Sequence, residues 1–170
     1  TGSHYFSLDH RAVEEYNTCA KMNPPLREPG DVEAIKKGLA EGVIDVIATD
    51  HAPHSREEKA LAFEQAPFGI VGLETALPLT LRLIGEGILT WPEAVRKLSY
   101  APATLLGVAG GVLREGALAD LSILDPEYPY VVKSEDMKSK SRNSPFIGWS
   151  MKGINVMTMV GGRIVWERNL

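Results

Sequence analysis

The chain has 170 residues, 44% of them hydrophobic and 24% charged, with a formal net charge of −4. That length suits one medium domain or a small one with an appendage, and the composition is that of a folded globular protein rather than a disordered one. No basic patch invites nucleic acid, no apolar run nears the roughly 18–20 residues of a membrane span, and the N-terminus lacks a signal-peptide pattern.

The opening Thr1-Gly2-Ser3-His4 carries no initiator Met and reads as a processed or joined end. His4 and His10, lone histidines near a terminus, read as surface residues. Cys19 is the single cysteine. It cannot close an internal disulfide, so the expected compartment is the reducing cytoplasm, and no basic neighbour marks it as a nucleophile. A first strand is expected around Thr18 to Met22. Pro29-Gly30-Asp31 reads as a turn with a helix N-cap, after which Val32, Ile35 and Leu39 share one helix face up to Gly42. The β-branched run Val43 to Thr49 predicts a buried parallel strand. From Asp50 to about Gly72 a long loop is expected, of a length that usually signals function or disorder. Leu73, Leu77, Leu81 and Ile84 mark a helix ending at Gly85, with Pro78 implying a bend or a late start. Thr90-Trp91-Pro92-Glu93 is a capping box opening a helix through Leu98, which Tyr100-Ala101-Pro102 should break.

The texture changes near residue 109. Leu121 to Leu124 is a short strand, stopped by Asp125-Pro126. Lys138 to Pro145 is a polar loop, and the stretches Ile154–Val160 and Arg163–Trp166 form a hairpin signal around Gly161-Gly162. Helix, strand and polar loop in succession is the grammar of an α/β barrel or a doubly wound sheet. A full (β/α)8 barrel takes about 250 residues. Two strand candidates cannot close one, so the chain is expected to be a portion of a larger fold.

Asp50, His51 and His54 put a carboxylate and two imidazoles directly after a strand candidate, where α/β barrels build their active sites. Carboxylate and imidazole are the ligands and proton carriers of hydrolytic metal centres. A capping Asp with solvated histidines is the plain alternative. Asn23 offers both donors and an acceptor, and Arg27 a fork suited to carboxylates, but a decorated Pro-Pro turn accounts for them equally. Ala66-Pro67-Phe68-Gly69-Ile70, taken alone, is a turn.

Together these strings resemble the bacterial dihydroorotases of the cyclic amidohydrolase superfamily. KMNPPLR (Lys21 to Arg27), IDVIATDHAPH (Ile44 to His54) and APFGIVGLE (Ala66 to Glu74) occur in the family's order and spacing. NSPFIGW (Asn143 to Trp149) and MVGGRIVW (Met159 to Trp166) resemble its small C-terminal β domain. The resemblance implies an α/β fold: the last two βα units of a metal-dependent TIM barrel over residues 1–108, then a small β domain over 109–170. It implies reversible, zinc-dependent cyclisation of N-carbamoyl-L-aspartate to dihydroorotate, in the cytoplasm, on one or two zinc ions. By the same resemblance Asp50 is metal ligand and general acid/base, while Asn23, His54, Phe68 and Gly69 bind substrate. His51 matches the motif without a ligand role.

The family's His-x-His pair, its other metal histidines and the arginine that grips the substrate carboxylate have no counterpart here, and His4 inherits no ligand role. The isolated chain is therefore expected to be inactive and not to retain zinc. A homo-oligomer is expected, and aspartate transcarbamoylase is a candidate partner. Two alternatives stay open: a hydantoinase- or allantoinase-like cyclic amidohydrolase, and a non-catalytic dihydroorotase-like subunit that scaffolds aspartate transcarbamoylase.

Overall fold

Capping boxes open three of the helices in the computed structural model, which describes residues 1–168. Helix α1 (Pro29–Ala40) begins at its proline, whose fixed φ and absent N–H suit the first helical position. Asp31 is therefore the third helical residue, bonded back to the Glu28 backbone, and not the expected N-cap. Helix α2 (Arg56–Lys59) interrupts the segment expected to be a structureless loop. Its box is Ser55 with Glu58: Glu58 N–H donates to Ser55 Oγ at 3.1 Å, and Ser55 N–H to Glu58 Oε2 at 2.8 Å.

Helix α3 (Leu73–Gly85) starts at Leu73, so Pro78 sits inside it and delays nothing. Helix α4 (Trp91–Val95) opens on the Thr90–Glu93 box. It does not end at Tyr100 as expected. A π-helical turn (Arg96–Tyr100) leads straight into α5 (Ala101–Leu106). Pro102 falls in the first turn of this new segment, where its missing N–H removes no needed bond. Gly107, left-handed at φ +66°, closes α5.

The C-terminal portion is an antiparallel sheet of β1 (Leu121–Val131), β2 (Ser150–Val160) and β3 (Arg163–Glu167) in the order β1-β2-β3. The hairpin turns on Gly161-Gly162 as read from the sequence. Strand β1 runs past Asp125-Pro126, where it was expected to stop. The register slips between Asp125 and Pro129, placing Pro126 in a bulge where no ladder donor is needed. Asp125 Oδ1 takes up the freed Glu127 and Tyr128 N–H groups at 3.0 and 3.2 Å.

Neither expected barrel strand forms as a strand. Thr18–Ala20 is a 3-10 turn, and the 43–49 segment pairs only through an isolated parallel bridge between Gly2 and Ala48. A strand is made by its neighbours' ladder as much as by its own sequence. Here Ala48 N–H donates to Thr1 O at 2.8 Å, and Ile47 N–H to Lys97 O at 3.1 Å. Val43 is 75% exposed while Ile47 is buried, so the run is not covered on both faces. Lys97 is itself buried, its ammonium on the Ile44 carbonyl at 2.5 Å.

Leu39, Ile70, Leu79, Leu83 and Phe146 are the large, fully buried side chains at the centre of the core. Helix α3 packs on β2 and on the 3-10 turn Ser3–Phe6, which also meets α1. The sheet and the helices thus share one buried face through α3.

Candidate functional site

Asp50 ends the 43–49 segment in a left-handed conformation, φ +47°, one that Asp tolerates better than most residues. Its side chain is 58% exposed, so the carboxylate opens toward solvent. Beyond it, residues 51–54 run beside 68–72. Ala52 N–H donates to Ile70 O at 2.7 Å, and His51 and Ile70 form a parallel bridge.

Both histidines of this segment hold backbone. His51 Nδ1 accepts from Gly72 N–H at 3.1 Å and Leu73 N–H at 3.3 Å, satisfying donors that the first turn of α3 would leave free. His54 Nε2 donates to the Phe68 carbonyl at 2.9 Å, leaving Nδ1 3.7 Å from Glu58. Gly69 N–H donates to Lys21 O at 2.8 Å.

Asn143 fastens the two segments together. Its amide donates to Ala52 O at 2.9 Å and Gly69 O at 3.2 Å, and its Oδ1 accepts from His54 N–H at 3.2 Å. Asn143 lies in the polar loop and was not singled out as a site residue. Its sequence signals are the polar Asn-Ser-Pro run directly before the apolar Phe146 and its place at the head of the NSPFIGW string.

Two buried lysines brace the same loops with carbonyls alone. Lys21 Nζ donates to Phe63 O, Glu64 O and Ala66 O at 2.5, 3.2 and 2.6 Å. Lys59 Nζ donates to Thr18 O at 3.0 Å and Pro67 O at 2.7 Å, and burial holds its pKa below the usual lysine range. The Phe68 ring lies under the Lys21 ammonium at 4.5 Å.

His4 corrects its surface assignment. It is 1% exposed, and neither ring nitrogen has a hydrogen-bond partner among the described residues. Its Nε2 stands 3.8 Å from Asp50 Oδ2. Burial lowers its pKa to about 4, with the Asp50 charge pulling weakly the other way, so the ring is neutral at pH 7. A Cβ at Gly2 would come within 2.6 Å of His4 Cε1, so the glycine makes the room the ring occupies. The signal was available: His4, Phe6 and Leu8 alternate along the chain and are all buried. His10, by contrast, is exposed as expected.

Asp50, His54, Phe68 and Gly69 thus belong to one stapled loop pair. Asn23 does not join it by any contact: it is exposed and its side chain makes no hydrogen bond among the described residues. Its segment is tied in indirectly. Tyr5 packs on His4, with ring centroids 4.1 Å apart, and donates its hydroxyl to Pro24 O at 2.6 Å. Arg27 reaches only Asp31, at 3.8 Å on the surface. Among the described residues no three His, Cys, Asp or Glu side chains converge as a metal site. Nor is any helix long and apolar enough to cross a membrane.

Residues 8–165 match the model of the amidohydrolase family. The chain is 52% identical over 168 residues to a dihydroorotase of Geobacter metallireducens, and 53% over 169 residues to one of Endomicrobium trichonymphae. These alignments cover 99% and 98% of this chain but 40% of each relative's length. Among solved structures, an L-hydantoinase (dihydropyrimidinase) from Arthrobacter aurescens superposes with a TM-score of 0.93 at 31% identity, over 100% of this chain and 39% of that one. A D-hydantoinase (dihydropyrimidinase) from Thermus sp. gives 0.84 at 27% identity, over 98% and 38%.

Proposed function

The chain belongs to the amidohydrolase family, and from that premise we propose that it is the C-terminal part of a dihydroorotase. Residues 1–108 would supply the last two βα units of the TIM barrel and 109–170 the small β domain. The substrate pair would be N-carbamoyl-L-aspartate and dihydroorotate. What carries this function is the meeting of Asp50, His54, Phe68 and Gly69, from two separate sequence strings, in one loop pair fastened by Asn143.

Asp50 is proposed as general acid/base. Its exposed carboxylate accepts a proton from the attacking water during ring opening and delivers it to the departing ring nitrogen. In cyclisation the same proton moves the other way. His54, with its Nε2 hydrogen committed to Phe68, presents Nδ1 and fixes the backbone that the ring lies against. Asn23, exposed in the segment that Tyr5 ties in through the Pro24 carbonyl, would complete the substrate contacts.

The described residues do not complete a zinc site. Zinc takes three protein ligands and a water at a catalytic centre, and Asp50 with His4 offers two donor groups at most. Asp50 would be one ligand of a zinc held mainly by residues outside this chain. Zinc would supply there a water acidified to a pKa near 7.

The close structural match to an L-hydantoinase supports a second possibility, a hydantoin-like cyclic amide as substrate. Assay of the longer protein that contains this chain, with dihydroorotate and hydantoin side by side, separates the two. Dihydroorotate is expected to turn over, and Asp50→Asn to slow it by roughly 10²–10⁴-fold. Hydantoin as the better substrate would replace the assignment. The 170-residue chain with added zinc is expected to turn over neither. A cytoplasmic homo-oligomer, with aspartate transcarbamoylase as a candidate partner, belongs to the same proposal.

A further inference from the structure

An open pocket of about 490 Å³ shares His54 and Asn143 with the candidate site. That volume lies in the range of small-molecule pockets. Arg56, Lys59, Lys140 and Arg142 line it, and no Asp or Glu does. In a chain with a net charge of −4, four cations facing one concavity are an uneven distribution of charge.

None of the four pairs with a carboxylate among the described residues. Lys59 is spent on the Thr18 and Pro67 carbonyls, and Arg142 on those of Ser139 and Ser141. Glu58, the carboxylate of the adjoining α2, is turned to the Ser55 N–H. The floor is fixed, because Lys59 and Asn143 are 7% and 4% exposed. Arg56, Lys140 and Arg142 stand at the exposed rim. Converging cations on a rigid concave wall focus a positive potential and favour an anion that can meet two of them at once.

We infer that this pocket binds a small dicarboxylate, held by the exposed Arg56, Lys140 and Arg142 over a floor that Lys59 and Asn143 keep rigid. Resting on the proposed dihydroorotase function, this assigns the pocket to the open-chain compound. N-carbamoyl-L-aspartate carries two carboxylates, and cyclisation turns one of them into a ring amide carbonyl. The ring compound keeps a single negative charge, so the pocket prefers the open form and draws it toward His54.

The test is an NMR titration of the full chain with three probes: succinate, inorganic phosphate and uncharged succinamide. Succinate is expected to shift the amides of Ser55, Ser141 and Asn143 saturably. Affinity should fall about fivefold in roughly 0.3 M salt, where the Debye length drops well below 10 Å. Joint Lys140→Ala and Arg142→Ala substitution should weaken binding about tenfold or more, and Arg56→Gln, on exposed α2, should weaken it as well. No saturable shift, an equal response to succinamide, or unchanged binding by both variants overturns the site. Phosphate binding more tightly than succinate overturns the dicarboxylate assignment. Succinate binding without turnover of dihydroorotate in the longer protein would count against the enzymatic proposal alone, and turnover without succinate binding against the pocket alone.

Discussion

Gly72 and His4 set the conditions under which Asp50 holds its place. A Cβ on Gly72 would overlap the Thr49 carbonyl oxygen, a backbone atom that cannot swing aside. Gly72→Ala is therefore expected to cost about 1–3 kcal/mol or more, read as a lower denaturant midpoint. His4 predicts an acid weakness. Unfolded, it takes up a proton below about pH 6.5; folded, it resists until about pH 4. The stability this contributes is full above 6.5 and lost as pH falls from 6.5 to 4, up to about 3 kcal/mol. Denaturation curves across that window should steepen this loss in the native chain and flatten it in His4→Gln. An equal pH slope in both would refute it. The placing of Asp50 and His54 in one loop after a strand-like run was legible from their spacing. His4 was legible only through its alternation with Phe6 and Leu8, because its burial comes from what those residues and Tyr5 do around it rather than from the residue itself.

Among elements, the loop pair 50–54 and 68–72 depends on a third segment. Asn143→Ala removes three bonds at once and strands the Ala52 carbonyl and the His54 N–H. The expected cost is on the order of 1–3 kcal/mol. Hydrogen exchange should quicken at Ala52 and His54 while α3 keeps its protection; unchanged exchange there would rule out the staple. Elements whose cause is local were readable in advance: the boxes at Thr90 and Glu93, the glycines after α1 and in the hairpin. Those decided by distant partners were not. Val43 to Thr49 carries strand propensity, but its backbone bonds go to Thr1 and to the Gly38 and Lys97 carbonyls rather than to a neighbouring strand's ladder. Pro126 looked like a stop because the bulge that accommodates it depends on β2. The Ser55–Glu58 box is a local signal too, set between the Pro53 and Pro67 turns of the expected loop.

At the scale of the whole molecule, the chain spans 40% of the length of the dihydroorotases it matches, and several large apolar side chains stand open on its surface. Val43, Leu105, Leu113 and Leu118 are 75%, 77%, 85% and 73% exposed. Apolar area left open in this way favours association. The purified chain is expected to bind a hydrophobic dye in its native state and to sediment as larger species with rising concentration. A dye-silent monomer at all concentrations would contradict this. Lys21, Lys59 and Lys97 add a different consequence. Each spends its ammonium on carbonyls of a neighbouring segment, and each is shut away from solvent. An amine-acylating reagent should mark the surface lysines within minutes and reach these three only as the joints they close come apart. The order in which they become labelled would then time the opening of each joint, from a mass spectrum alone.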